Sequence, residues 1–232
     1  MAKRNTPPAE KNENRGTAGG KRQGPFHLEF LNQAQKMAWG AFDQHDVLFL
    51  LGPAGCGKTH LACAFAISEL LAKRKRKIIL TRPVVEAEES LGYLPGTFEE
   101  KINPYMTPMY DCIEKMVGPE GPQRDNINRS MELAPLAFMR GRTFDNAVCI
   151  LDEAQNCTKG QLKLFMTRFG VNSKIIITGD PHQSDIRDPA LMDVVKKVED
   201  LQGIGVIHFK SNSIVRHPLI AGILERLEEQ PR

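Results

Sequence analysis

The sequence predicts an α/β fold: a doubly wound, mainly parallel sheet of five strands with a helical insertion, organised around a phosphate-binding loop. Three observations predict it. The apolar run Val47–Leu51 leads into Gly52-Pro53-Ala54-Gly55-Cys56-Gly57-Lys58-Thr59, and a helical run, Leu61–Leu71, follows. Strand, glycine loop and helix in that order is the context that the G-x-x-x-x-G-K-T pattern requires. Five short apolar runs then alternate along the chain with segments of helical spacing, the pattern of parallel strands joined by crossovers. Finally, the 232 residues are 41% hydrophobic, enough for a substantial core.

Taken in order, residues 1–25 are a basic tail without apolar periodicity, rich in Lys, Asn, Gly and Pro, and are expected to be disordered. The domain proper is expected to span residues 26–232. Lys3, Arg4, Lys11, Arg15, Lys21 and Arg22 outweigh Glu10 and Glu13, so residues 1–24 carry +4 against a net +3 for the whole chain. The basic excess therefore sits in the tail, where it suits a polyanion or simply keeps the chain solvated. No signal-peptide core and no apolar run of about 18 residues occur, which excludes a helical membrane span and points to the cytoplasm. Five cysteines without a C-x-x-C pair suit a reducing compartment.

The first helix is expected over Leu31–Phe42, where Leu31, Ala34, Met37, Ala38 and Ala41 recur at helical spacing. Gln33, just upstream of the first strand, has the amide chemistry to read an adenine edge. In the loop, glycines let the backbone approach an anion, and its N–H groups and the helix N-terminus point at the phosphates. Lys58 is placed to reach the β- and γ-phosphates and Thr59 to offer a hydroxyl to Mg²⁺. Pro53, Ala54, Cys56 and His60 complete the nucleotide-contacting stretch.

A basic run, Lys73–Lys77, follows the loop helix and reads as a solvated cap favoured by the helix dipole. The second strand, Ile78–Leu80, ends in Thr81-Arg82-Pro83. Residues 84–98 are loop-like, with acidic Glu86, Glu88 and Glu89. Phe98 to about Met139 is expected to be a helical insertion in two pieces, broken at residues 118–122. Arg140 and Arg142 straddle Gly141 in a turn suited to a surface or to phosphate contact. The third strand, Ala147–Leu151, ends in Asp152-Glu153. Behind a complete phosphate loop, that pair reads as a metal-binding carboxylate and a base that polarises water. Thr158 is a candidate N-cap for the helix Thr158–Phe169. The fourth strand, Ile175–Ile177, ends in Thr178-Gly179-Asp180, where Thr178 and Asp180 are placed to sense the nucleotide. A helix over Ala190–Val198, a fifth strand over Ile204–Phe209 and a last helix over Ile214–Leu227 close the chain. Arg216 sits near that helix start, where the dipole disfavours a cation, which marks it as a candidate functional residue.

In a doubly wound sheet, ligand sites lie at the carboxyl ends of the strands. Lys58, Thr59, Arg82, Asp152, Glu153, Thr178 and Asp180 all fall there, so the sequence points to an ATP-hydrolysing site that uses ATP and Mg²⁺.

G-P-A-G-C-G-K-T, T-R-P-V-V-E-A-E-E-S-L-G-Y-L-P-G (residues 81–96), M-R-G-R-T-F (139–144), I-L-D-E-A-Q-N (150–156), T-G-D (178–180) and V-R-H-P-L (215–219) together resemble the PhoH family over residues 26 to 228. The resemblance implies a RecA-like core similar to the first ATPase domain of superfamily 1 helicases, with the T-G-D strand between the loop strand and the D-E strand. It also implies ATPase activity and links to RNA metabolism and, by name, to phosphate starvation. It raises Gln33 as the adenine reader. The residues after Asp180 depart from the usual family pattern. The longer relatives carry further domains, and a helicase site is completed by an arginine from a second domain. One ATPase domain is expected here, so the resemblance implies an arginine from a neighbouring subunit, with Arg216 first and Arg140 and Arg142 after it. The expected assembly is a ring-like homo-oligomer, a hexamer as best guess. Single-stranded RNA or DNA is the expected partner, with Arg82, Arg140 and Arg142 as candidate contacts. The alternative is a nucleotide-gated oligomeric module that displays a surface to a protein partner. A small-molecule kinase fits less well, because the D-E pair and T-G-D suit water activation.

Overall fold

A computed structural model describes residues 28–83, 98–118 and 124–210, with side chains described outside residues 98–102. The basic tail, the acidic cluster of Glu86, Glu88 and Glu89, the Pro119–Pro122 part of the break in the insertion, and Arg216 with its helix lie outside the described residues.

The chain runs α1 (Gln33–Gln44), β1 (Val47–Leu51), α2 (Lys58–Leu71), β2 (Lys77–Thr81), α3 (Phe98–Val117), α4 (Arg124–Ser130), β3 (Met131–Leu133), β4 (Ala147–Leu151), α5 (Lys159–Met166), β5 (Lys174–Gly179), α6 (Leu191–Val198) and β6 (Ile204–His208). The strands form one six-stranded sheet in the order β3-β2-β4-β5-β1-β6. Every pairing is parallel. As the family resemblance implies, β5, which ends in T-G-D, lies between β1 and β4. The sheet has six strands where the sequence reading expected five. The insertion is not wholly helical, because Met131–Leu133 leaves α4 to form an edge strand on β2, paired Ile78 to Met131 and Leu80 to Leu133. Three residues are too few to show a period of two, so the strand exists only through its partner.

The alternation of side chains along a strand splits the core into two layers. Leu48, Leu50, Ile78, Leu80, Val148, Ile150 and Ile176 face a layer closed by α1, α2, α3 and α4. Phe49, Leu51, Ile79, Cys149, Leu151, Ile175 and Ile177 face the opposite layer, closed by α5 and α6. Near-continuous apolar strands are the mark of a parallel sheet covered on both faces. At the start of α1, the Asn32 carboxamide accepts from the Gln35 N–H at 2.9 Å. Thr158 caps α5 in a reciprocal capping box with Gln161. The basic run after α2 is more than a solvated cap. Arg74 pairs with Glu69 at 2.6 Å, and Lys75 is buried and donates to Asn172 Oδ1 at 2.7 Å. Helix α3 carries Pro104 and Pro108 inside it. Each removes an amide donor from the helical ladder, and their four-residue spacing puts both on one face.

Candidate functional site

All strands being parallel, their carboxyl ends gather on one edge, and the site is built there. Register sets Leu51 beside Gly179 and Thr81 beside Leu151, and Leu151 beside Ile177. The loop after β1, Arg82 after β2, Asp152 and Glu153 after β4, and Thr178 with Asp180 at the end of β5 are thereby neighbours.

The loop is held from three sides. Gly52 N–H donates to Gly179 O at 3.1 Å. A Cβ on Gly52 would stand 2.5 Å from Phe209 O and 2.7 Å from Phe209 Cβ, so only glycine lets the loop leave β1 beside the end of β6. Gly57 adopts the left-handed conformation (φ 86) as the residue before α2. Lys58 is the first residue of α2, and its ammonium donates to Gly52 O at 2.6 Å and Pro53 O at 2.9 Å, folding back on the start of the loop. Cys56 is buried, donates its thiol to Pro53 O at 3.0 Å, and has its pKa pushed up by burial.

Asp152 is the hub. It is 3% exposed, its N–H donates to Thr81 O at 3.0 Å, and its Oδ1 accepts from Thr59 Oγ1 at 2.7 Å and from the Thr178 hydroxyl. Residues from the loop helix, from β4 and from β5 therefore meet at one carboxylate oxygen. The donor set is all oxygen, hydroxyl and carboxylate, which is the chemistry of a hard divalent cation. Among the described residues no group of three or more His, Cys, Asp or Glu could hold a metal. A site with two protein oxygens suits Mg²⁺, which keeps several waters and takes substrate phosphate oxygens as further ligands.

Glu153 stands beyond Asp152 in a left-handed conformation (φ 55). That is a costly position for a non-glycine residue. Its Oε1 is 3.4 Å from Arg82 Nη2, and its Oε2 accepts from the Gln155 amide. Arg82 also donates through Nη1 to Tyr105 O at 3.4 Å, on α3. Gln155 is 4% exposed and accepts from Asp180 N–H at 2.9 Å through its Oε1. Glu153, Gln155 and Asp180 thus form one chain of bonds between the ends of β4 and β5. Beside it, Arg82, Pro83, Pro104, Tyr105, Pro108, Asn156 and Asp185 line a groove of about 440 Å³.

The structure brings Lys58, Thr59, Asp152, Glu153, Thr178, Asp180 and Arg82 together. It does not bring Arg140 and Arg142 to them. Both precede β4 and so lie toward its amino end. Arg142 pairs with Glu132 and stacks on Phe144 at 4.7 Å, while Arg140 is exposed. His60 turns away toward α3, its Nδ1 3.5 Å from Cys112 Sγ. Gln33 is exposed at the start of α1. The glutamine that touches the loop is Gln35, whose Nε2 donates to Cys56 O at 3.3 Å and whose Oε1 accepts from Leu31 N–H at 2.8 Å. The sequence reading passed over Gln35, yet a signal existed. Gln35, Ala38 and Phe42 share the buried stripe of α1, and a glutamine on an apolar stripe needs partners. The role of Gln155 was legible only from its three-dimensional neighbours.

Comparison with known proteins shows the family and the fold. Residues 27–228 match the family described as PhoH-like protein. A PhoH-like protein of Bacillus subtilis is 46% identical over 193 residues, which cover 82% of this chain and 60% of that protein. Protein PhoH of Escherichia coli K12 is 42% identical over 194 residues, which cover 81% of this chain and 54% of that protein. The chain thus spans little more than half the length of these relatives. The large terminase of a thermophilic bacteriophage, also solved in complex with ADP, shares the fold. Its TM-score is 0.57 at 12% identity, covering 89% of this chain and 50% of the terminase chain. A RecA-like P-loop core and a family match over nearly all of the described residues lead to one conclusion: the chain belongs to the PhoH family.

Proposed function

We propose that this chain is a Mg²⁺-dependent ATPase that couples ATP binding and hydrolysis to single-stranded nucleic acid, RNA in the first instance, and works as an oligomer. The observation that carries the reading is the meeting of Thr59, Asp152 and Thr178 at one buried oxygen, with Lys58 and Glu153 their neighbours in the chain.

In this reading, Lys58 and the loop N–H groups bind the β- and γ-phosphates of ATP. Thr59 and Asp152 hold Mg²⁺, which neutralises charge on the phosphate oxygens when bound. Glu153 accepts a proton from the attacking water and orients it in line with the γ-phosphate. Thr178 shares the carboxylate that holds the metal, and Asp180 connects to Glu153 through Gln155, so the end of β5 senses the bound nucleotide. Gln33, exposed at the start of α1, is the candidate for the adenine edge, and the buried Gln35 anchors that helix to the loop. An arginine supplied by a neighbouring subunit completes the charge compensation, an effect worth roughly 10³–10⁵ in rate where it operates. Arg216 is the first candidate for it, with Arg140 and Arg142 after it.

Support for nucleic-acid coupling comes from Arg82. It holds the proposed base with one nitrogen and the α3 backbone with another, at the rim of a groove that also carries Tyr105. A strand whose phosphates compete for Arg82 and whose base stacks on Tyr105 draws Arg82 off Glu153 and so reports its own presence to the base. The test is steady-state ATP turnover with and without single-stranded oligo-uridine, on the wild type and on Arg82→Ala. Turnover that rises with the oligonucleotide in the wild type but not in Arg82→Ala is the expected result. Wild-type turnover blind to single-stranded RNA and DNA alike overturns the coupling, and points to a protein partner for the groove.

A further inference from the structure

Three side chains outside the nucleotide chemistry form a cluster on the seam between α2 and α3. Cys63, on α2, is fully buried, and Cys112, on α3, is half-buried. Cys112 packs against the buried cluster to which Cys63 belongs, on the seam where α3 lies against α2. His60, one turn before Cys63 on α2, places Nδ1 3.5 Å from Cys112 Sγ. We propose that Cys63 and Cys112 are a thiol pair that peroxide converts into a reversible disulfide, joining the phosphate-loop helix covalently to the inserted helix.

The two cysteines are chemically unequal, as such a pair requires. The neighbouring Cys63 thiol and His60 lower the Cys112 pKa to about 6, against the opposing effects of burial and of Asp152. Cys63 moves the other way, raised by the neighbouring Cys112 thiol and by burial. The thiolate is the nucleophile, so Cys112, which also has solvent access, attacks first. The remaining cysteines are poor competitors. Burial pushes the Cys149 and Cys157 thiols up to about 12, and raises Cys56.

The chemistry balances with peroxide as the oxidant. Cys112 sulfur attacks one peroxide oxygen, the O–O bond breaks, and the departing hydroxide takes a proton to leave as water. Cys112 is then a sulfenic acid. Cys63 sulfur attacks that sulfur, the S–O bond breaks, and the hydroxide that leaves carries off the Cys63 proton as a second water. Two thiols and one hydrogen peroxide become one disulfide and two waters. The position gives the bond a consequence. Cys63 follows Thr59 by four residues, on the same face of α2, and Tyr105 of α3 holds Arg82 from across the groove. The disulfide therefore ties together the helix that begins at the phosphate loop and the helix that lines the groove. The inference needs no assumption about nucleotide hydrolysis.

The experiment is intact mass and non-reducing peptide mapping of the full chain after stoichiometric hydrogen peroxide. The expected product has lost two hydrogens, contains the cross-linked Cys63 and Cys112 peptides, and returns to the starting mass with dithiothreitol. Cys112→Ser abolishes the cross-link, while Cys63→Ala leaves Cys112 to accumulate oxygen. Because the wild-type product alone identifies the pair, the result does not hang on how either variant folds. A cross-link between other cysteines, oxygen addition to wild-type Cys112 without a cross-link, a disulfide between two copies of the chain, or no change at all each overturns the proposal.

Discussion

Glu153 carries the sharpest residue-scale prediction. It sits in a strained left-handed conformation at the mouth of β4, held by Arg82 and Gln155. Replacing it by glutamine keeps shape and hydrogen bonding but removes the ability to take a proton. Positioned acid–base groups contribute typically about 10²–10⁴-fold to rate. Glu153→Gln is therefore expected to lower ATP turnover by about 10²–10⁴-fold while ATP binding, read by equilibrium titration with a fluorescent nucleotide, is retained. Turnover near wild type removes Glu153 from its proposed role and leaves the base to be sought elsewhere on the edge. Asp152 differs in kind. It is buried and shared by two hydroxyls, so its loss strips the site of its hub rather than of a proton acceptor.

At the scale of elements, the glycine loop shows how closely the sheet end is packed. Gly52 leaves β1 where β6 is also ending, and any Cβ there meets the Phe209 backbone oxygen and Cβ at 2.5 and 2.7 Å. Backbone cannot swing aside as a flexible side chain does, so the end of β6 must shift. Overpacking of this kind typically costs about 1–3 kcal/mol. Gly52→Ala is expected to lower the urea midpoint by that equivalent without changing the slope of the transition. An unchanged midpoint shows that the end of β6 yields freely. The elements themselves were legible to different degrees. β1, β4 and β5 are runs such as Val-Leu-Phe-Leu-Leu and Ile-Ile-Ile, and α2 and α5 have clear starts at the glycine loop and at Thr158. The edge strand β3 was not legible, because a three-residue stretch carries no period and gains strand geometry only from β2.

For the whole molecule, the all-parallel order β3-β2-β4-β5-β1-β6 does the essential work, since it turns residues far apart in the chain into neighbours on one edge. At that edge Arg82 is paired with Glu153, while Arg142, toward the amino end of β4, is paired with Glu132. In the proposed oligomer, an arginine of a neighbouring subunit supplies charge compensation on the γ-phosphate. ATP turnover per chain is then expected to rise steeply with protein concentration, in step with the mass measured by light scattering. Full turnover per chain from a monomer at high dilution overturns the shared arginine.

The sequence by itself determined the fold class, the phosphate loop and the D-E and T-G-D strand ends. Each of these is written in contiguous residues whose spacing and chemistry are local: an apolar strand, a glycine turn, a helix start, a pair of acids at a strand end. Only the tertiary structure decided that Thr178 and Thr59 share one oxygen of Asp152, and that Gln35 rather than Gln33 touches the loop. It alone joined Arg82 to Glu153, placed Arg140 and Arg142 toward the amino end of β4, and packed Cys63 and Cys112 into one cluster. The physical reason is common to all of these. A hydrogen bond or an ion pair between distant segments depends on strand order and on helix packing angle, and neither leaves a periodic mark in the residues it brings together.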